Sequence, residues 1–148
     1  MTTTQTIVQP IAYIHFNGNA NETIEFYGKA LQAKLVSKAT YGEIPTGDSE
    51  QNRISEADKD KIVNAQLELP GGGQFYVMDT PSFIPYTDIS GITLTLNYPT
   101  VEEGEKAFRA LCEGGTITMD WCDTFWAEKF GMVDDKFGVS WLVNGNLR

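Results

Sequence analysis

The chain has 148 residues, with 20 Asp and Glu, 11 Lys and Arg and one His, giving a formal net charge of −9 at pH 7. That charge argues against surfaces that bind nucleic acid or an anionic membrane through clustered lysines and arginines, so neither partner is expected. Hydrophobic residues make up 41% and aromatic residues 11%, which indicates a globular protein that is neither disordered nor membrane-spanning.

The first residues, Met-Thr-Thr-Thr-Gln-Thr, contain no basic stretch followed by an apolar one, so no signal peptide is predicted. No window approaches about 18 uninterrupted apolar residues, so no transmembrane helix is predicted either. The two cysteines, Cys112 and Cys122, are too few for a disulfide framework and are expected to be free thiols. A cytoplasmic location is the resulting expectation.

The first half of the chain predicts a strand, a helix and three further strands. Residues 11–16 are rich in aromatic and β-branched side chains, as in a strand. Asn19 followed by Glu22 predicts a capping box at the start of a helix. Strands are predicted at 34–41, 62–69 and 74–79, with a hairpin turn at the glycines 71–73. The polar segment 43–61 predicts a long surface loop, which is either functional or disordered.

The second half repeats this order. Residues 91–98 alternate with period two, and Thr100 with Glu103 again predicts a capping box. Strands are predicted at 116–121, 126–133 and 139–144. Thr100 lies 81 positions after Asn19. The chain is therefore predicted to be a single α+β domain, residues 1–148, in which two βαβββ repeats, about 8–80 and 90–145, form curved mixed sheets around a cleft.

Particular motifs resemble a known family. They are Ile-Ala-Tyr-Ile-His-Phe-Asn-Gly-Asn at 11–19, Ile-Glu-Phe-Tyr at 24–27, Tyr-Gly-Glu-Ile-Pro at 41–45, Trp-Cys-Asp-Thr-Phe-Trp at 121–126 and the block 130–141. Over about residues 8–145 the chain resembles the PhnB-like (YjdN-like) branch of the glyoxalase, bleomycin-resistance and extradiol dioxygenase superfamily, also called the vicinal oxygen chelate superfamily. One departure is Gln32, where the family usually has glycine. A left-handed conformation there would cost roughly 1 kcal/mol relative to glycine.

Metalloenzymes of this superfamily hold a divalent ion with His and Glu side chains on the concave sheet faces. The resemblance places those ligand positions near Ala12, Met78, Gly91 and Leu142, none of which is a ligand residue. It also implies that His15 faces the helix as a structural residue. We therefore expect no metal and no other cofactor.

The resulting functional hypothesis is a metal-independent, small-molecule-binding protein, similar to resistance-type members of the superfamily. Its cavity would be lined by Ile14, Phe16, Met78, Trp121, Phe125 and Trp126, with Asp79 and Thr95 as polar contacts. The aromatic set Trp121, Phe125, Trp126, Phe130 and Trp141 would be divided between core packing and the cavity wall. An acidic protein with an aromatic cleft favours neutral or cationic aromatic ligands. The resemblance also implies a homodimer, because open sheets carry exposed edges and apolar faces.

Two alternatives stay open, so catalysis is neither assigned nor excluded. One is a metal-dependent lyase, isomerase or dioxygenase with a non-standard site, built from His15, Asp79 and residues of a second subunit. The other is a scaffold whose cavity is filled by its own side chains. A methyltransferase is disfavoured, because the glycine run 71–73 is predicted between two strands and not between a strand and a helix.

Overall fold

The computed structural model describes residues 8–44 and 54–148. In its described residues the first repeat has four strands, one α-helix and a short 3-10 turn at Tyr41–Glu43. The strands and the α-helix are β1 (Tyr13–Phe16), α1 (Ala20–Ala30), β2 (Lys34–Thr40), β3 (Ile62–Glu68) and β4 (Gln74–Asp79). The second repeat has the same order: β5 (Thr93–Tyr98), α2 (Val101–Leu111), β6 (Thr116–Cys122), β7 (Ala127–Asp134) and β8 (Ser140–Leu147).

Each repeat forms a four-stranded mixed sheet with its first strand at one edge. The strand order is β1-β4-β3-β2 in the first sheet and β5-β8-β7-β6 in the second. In both sheets the first strand of the repeat runs parallel to the last strand, and the other pairs are antiparallel. This element order and topology confirm the predicted α+β class and the two βαβββ repeats. In each repeat, the segment that contains the helix supplies the crossover connection that a parallel pair of strands requires.

The two helices begin in different ways. Thr100 accepts a hydrogen bond from the Glu103 backbone nitrogen at 3.1 Å, so the capping residue predicted for α2 is confirmed. Asn19 is the N-cap residue of α1, as predicted, but its side chain makes no capping hydrogen bond, so the capping box predicted there does not form. A carboxylate from β4, Asp79, instead accepts from the Ala20 backbone nitrogen at 2.9 Å. The first repeat thus caps its helix with a residue brought in by the sheet.

The end of α1 has the left-handed residue that the family pattern implies. Gln32 has φ 57°, a conformation that strains any residue other than glycine. Its side chain donates from Nε2 to the Lys29 carbonyl at 3.1 Å, and the next amide, of Ala33, donates to the Tyr27 carbonyl at 3.3 Å. The first bond satisfies a carbonyl in the last turn of the helix, and the second is shared with the Leu31 amide, which also donates to the Tyr27 carbonyl. Both bonds offset part of the strain.

Both repeats contribute to one buried core, which lies on the helix-bearing sides of the sheets. Tyr27 of α1 is fully buried, and its ring centroid lies 5.5 Å from Phe75 of β4 and 5.5 Å from Trp141 of β8. Such edge-to-face contacts add to the free energy gained by burying the rings. The first helix therefore packs on the sheets of both repeats.

Glycines let α2 lie close against its sheet. A Cβ on Gly131 of β7 would lie 2.6 Å from the Phe108 ring, and one on Gly145 of β8 would lie 2.9 Å from the Val101 Cα. Both distances are shorter than real Cβ contacts, so side chains here would force the helix away from the sheet.

The predicted loop 43–61 lies partly outside the described residues. Its described end, 54–61, is a turn anchored by Asp58, which is fully buried. Asp58 accepts hydrogen bonds from the Ser82 hydroxyl at 2.6 Å and the Ser82 amide at 3.0 Å, and pairs with Lys61 at 2.9 Å. The Ser82 hydroxyl and Lys61 hold the pKa of the Asp58 carboxyl well below its usual range. The described helices, of 11 residues each, are too short to cross a bilayer.

Candidate ligand-binding surface

Among residues 8–44 and 54–148, each sheet has one face against the core and one face that carries no helix, which we call the open face. On β1, Ile14 and Phe16 are buried in the core, whereas Tyr13 and His15 are exposed on the open face. The predicted orientation of this strand is therefore wrong. The structure buries the Ile14 and Phe16 side chains in the core, and His15 lies on the opposite face of the strand.

Asp79 also belongs to the core side. It pairs with Phe16 across the parallel β1–β4 ladder and is only 1% exposed. Its Oδ1 accepts from the Ala20 amide at 2.9 Å and its Oδ2 from the Ile62 amide at 3.0 Å. Both carboxylate oxygens are engaged by the protein's own backbone. The structure thus gives Asp79 a structural position and not the predicted polar contact in a cavity.

The alternative metal site does not fit these positions. His15 lies on the open face opposite Met78, while Asp79 lies on the other side of the same sheet, so the two cannot share an ion. Among residues 8–44 and 54–148, no three His, Cys, Asp or Glu side chains come together as a metal-binding group. A thioether and a lone imidazole are a weak donor set for a divalent first-row metal. We derive no metal-dependent step for this chain.

The aromatic set is divided between the core and the open face. Trp141 is 1% exposed in the core, and Trp121 packs on Phe108 of α2 with a centroid separation of 5.4 Å. The Trp121 ring thus lies between α2 and its sheet, apart from the exposed aromatic residues. Phe125 and Trp126 precede β7 and are 86% and 37% exposed.

One aromatic cluster, which we call the aromatic wall, consists of Phe125, Trp126 and Phe130. The ring centroids of Phe125 and Trp126 are 5.1 Å apart, and those of Trp126 and Phe130 are 4.7 Å apart. Phe130 pairs with Asn144 in the β7–β8 ladder, which places the wall on the open face of the second sheet. Exposed rings held by a buried neighbour provide a rigid surface for stacking.

A chain of hydrogen bonds crosses this open face. The Trp126 indole Nε1 donates to Asn144 Oδ1 at 2.9 Å, and Asn144 Nδ2 donates to Asn97 Oδ1 at 2.9 Å. Asn144 is 5% exposed, whereas Asn97 is exposed on the edge strand β5. We call Trp126, Asn144 and Asn97 the polar relay. It fixes the orientation of the Trp126 ring and ends at a side chain that solvent can reach.

A groove of about 680 Å³ lies where the two repeats meet. It runs between the end of α1, the β3–β4 hairpin, β5 and α2, and Thr95 and Asn97 lie along its β5 side. Most of the lining is apolar, including Leu31, Leu69 and Leu96. The volume is within the range of small-molecule sites. Asn97 is thus common to the polar relay and the groove.

The predicted site residues are therefore only partly brought together. Thr95, Phe125 and Trp126 lie on or beside the open face of the second sheet, and Met78 lies on that of the first. Ile14, Phe16, Asp79 and Trp121 do not join them. Asn97 and Asn144 are not among the predicted site residues, although the alternation Thr93-Leu-Thr-Leu-Asn97 places Asn97 on the polar face of its strand.

The glycine run at 71–73 forms the predicted hairpin turn. The Gly72 amide donates to the Leu69 carbonyl at 2.9 Å, and the Leu69 amide donates to the Gly73 carbonyl at 2.7 Å. Gly71 and Gly72 have φ 94° and 103°, which only glycine adopts without strain. The turn joins β3 to β4, so the run does not lie at the start of a helix, where a cofactor-binding turn would be expected.

Comparison with known proteins gives consistent matches over most of the chain. A family model described as 3-demethylubiquinone-9 3-methyltransferase matches residues 8–144. Protein YjdN of Escherichia coli is 38% identical over 136 residues, which cover 89% of this chain and 91% of YjdN.

Two solved structures extend these matches. The crystal structure of protein PA1353 from Pseudomonas aeruginosa has a TM-score of 0.81 at 35% identity, covering 93% of this chain and 97% of that one. A putative 3-demethylubiquinone-9 3-methyltransferase, PhnB protein, from Bacillus cereus has a TM-score of 0.70 at 26% identity, covering 93% and 98%.

Proposed function

Because this chain belongs to the PhnB-like family of the glyoxalase and bleomycin-resistance superfamily, we propose that it is a metal-independent protein that binds a small planar molecule. The aromatic wall on the open face of the second sheet is the observation that carries the proposal. Exposed Phe125 and Trp126 offer ring faces for stacking, and the indole hydrogen bond to Asn144 holds Trp126 in place. The net charge of −9 favours neutral or cationic ligands over anionic ones.

A methyltransferase activity, which the description of the matched family model names, is not favoured by the residues that the structure describes. Its glycine run is used in the β3–β4 hairpin. An enzyme that binds S-adenosylmethionine commonly presents such a run between a strand and a helix. We therefore propose binding and assign no reaction.

Titration with three planar probes tests the proposed function. We expect N-methylquinolinium and quinoline N-oxide to quench tryptophan fluorescence and to bind in calorimetry, and we expect 2-naphthoate to bind more weakly. EDTA should change none of these affinities. Phe125→Ala should lower the affinity for N-methylquinolinium and for quinoline N-oxide about fivefold, because one stacking contact is lost. Ile84→Ala, which truncates another exposed apolar side chain, is the matched control. Absence of heat and quenching at millimolar concentrations of every probe would refute the proposal.

We further propose that the chain functions as a homodimer in which a second copy covers the exposed apolar side chains of the outer strands β2 and β6 and leaves the aromatic wall accessible. Leu35 and Val36 of β2 and Ile117 and Met119 of β6 are all at least 40% exposed on the outer strands, and exposed edges invite pairing with another chain. Light scattering at 10 µM protein should give twice the chain mass of 16.4 kDa. A monomeric mass at that concentration would contradict the dimer without affecting the probe titration.

A further inference from the structure

We infer that the ligand of this surface carries an oxygen that accepts a hydrogen bond, and that Asn97 Nδ2 donates that bond. The inference rests on the proposed function and specifies the chemistry of its ligand. It follows from the direction in which the polar relay must run.

The Trp126 indole fixes that direction because its Nε1–H can only donate. The Asn144 atom that it meets at 2.9 Å must therefore be the carbonyl oxygen Oδ1. The Asn144 amide nitrogen then points to Asn97, at 2.9 Å, and the Asn97 atom that receives it must also be the oxygen. Each step leaves only one assignment of the amide, so Asn97 ends the relay with its Nδ2 group outward.

The outward amide group is available to a ligand. Asn97 is exposed, and no residue in 8–44 or 54–148 accepts a hydrogen bond from its Nδ2. It stands where the open face of the second sheet meets the groove of about 680 Å³. Two N–H groups at this position match a carbonyl, N-oxide or similar oxygen and oppose a group that can only donate.

The rest of the relay makes this donor selective. Asn144 is 5% exposed, and turning its amide over would place two N–H groups against each other at Trp126 and leave Asn97 facing a carbonyl oxygen. Leaving such buried groups unpaired costs about 1–3 kcal/mol. The relay therefore resists reversal when a ligand of the wrong polarity arrives. Asn97 is the contacting residue, and Trp126 and Asn144 act on it as positioning residues.

Asn97→Asp is the central test, because aspartate still accepts from Asn144 Nδ2 but presents an oxygen where the amide group was. For the wild-type protein we expect quinoline N-oxide to bind at least about tenfold more tightly than indole, which has a single N–H donor and no oxygen acceptor. In Asn97→Asp we expect N-oxide affinity to fall about tenfold while N-methylquinolinium binds as tightly as before or better. Thr93→Val, a change on the same strand, should leave the ratio of N-oxide to indole affinity unchanged.

Trp126→Phe tests the positioning role separately. Phenylalanine keeps an aromatic ring in the wall but lacks the N–H that sets the direction, so both amides become free to turn over. We expect the ratio of N-oxide to indole affinity to fall towards one. If Trp126 had no positioning role, the substitution would lower the affinity for both probes equally.

The outcomes separate the two proposals. If no probe binds the wild-type protein, the proposed function fails. If the probes bind but quinoline N-oxide and indole do so equally, or if Asn97→Asp leaves the N-oxide affinity unchanged, the donor role of Asn97 is overturned and binding stands. Thermal melting of each variant establishes that it is folded. We expect Asn97→Asp to fold because the Asn97 side chain is exposed.

Discussion

Asp135→Ala is expected to lower the free energy of unfolding by about 4 kcal/mol, measured by urea denaturation at pH 7. Asp135 is 3% exposed and lies just after β7. Its Oδ2 accepts from the Tyr27 hydroxyl at 2.5 Å and from Trp141 Nε1 at 2.8 Å. Its Oδ1 accepts from the Phe137 and Val139 amides at 2.9 and 3.1 Å. Alanine would leave four donors without this acceptor, and two of them belong to deeply buried rings.

The large effect has a second cause in the position of this carboxylate. Tyr27 belongs to the first repeat and Asp135 to the second, so the bond ties the two together across 108 positions of sequence. Asp135→Asn should cost about half as much, because the amide oxygen can still serve the two backbone donors while the amide nitrogen faces the Trp141 N–H. Asp134→Asn, next to it in the chain, is the matched control. A loss below about 1 kcal/mol for Asp135→Ala would contradict the role assigned to the carboxylate.

The Tyr27 hydroxyl, which donates the hydrogen bond in this contact, should make the stability of the protein depend on pH in alkaline solution. Burial, reinforced by the Asp135 carboxylate, raises the pKa of Tyr27 well above its ordinary value of 10.0. The unfolded phenol ionises near pH 10 while the folded one keeps its proton. Its contribution to stability is therefore complete below that pH and is lost as the pH rises above it. Tyr27→Phe should flatten this alkaline decline and lower stability at pH 7 by about 1.5–2 kcal/mol.

The repeats and their elements could be predicted because they depend on local periodicity. The stripe Ala20-Ile24-Tyr27-Leu31 and the alternation through β5 each match one secondary structure. The orientation of β1 could not be predicted, because residues 11–16 place apolar or aromatic side chains on both faces. Alternation then gives no preference, and only the tertiary packing that buries Ile14 and Phe16 in the core decides the orientation of the strand.

The buried carboxylates escaped prediction for a different reason. Asp135 belongs to a polar stretch, Asp134-Asp135-Lys136, of a kind that is typical of turns, and it directly follows the end of β7. Its burial depends on Tyr27 and Trp141, which contribute donors from a distant helix and from the last strand. No spacing in the sequence links these three residues. The relay residues Asn97 and Asn144 are similar, because adjacent strands and not adjacent positions bring their amides together.

Asp79→Ala is expected to lower the free energy of unfolding by about 3 kcal/mol, with little change in probe affinity. The carboxylate satisfies the buried Ala20 amide at the start of α1 and the Ile62 amide at the start of β3. The Tyr41 hydroxyl also donates to the Asp79 carbonyl at 2.7 Å, so the end of β4 is a junction of several elements. A negative charge at a helix N-terminus adds favourable interaction with the helix dipole.

Two measurements distinguish this structural role from a ligand contact. Amide hydrogen exchange should accelerate in Asp79→Asn at Ala20 or at Ile62, whichever faces the new NH2 group, because the asparagine side chain keeps only one of the two accepting oxygens. Asp60→Asn, an exposed carboxylate in the preceding turn, should change stability by less than about 0.5 kcal/mol. If Asp79→Asn instead kept full stability and weakened quinoline N-oxide binding, Asp79 would belong to the ligand site, and the assignment of the open faces would have to be reversed.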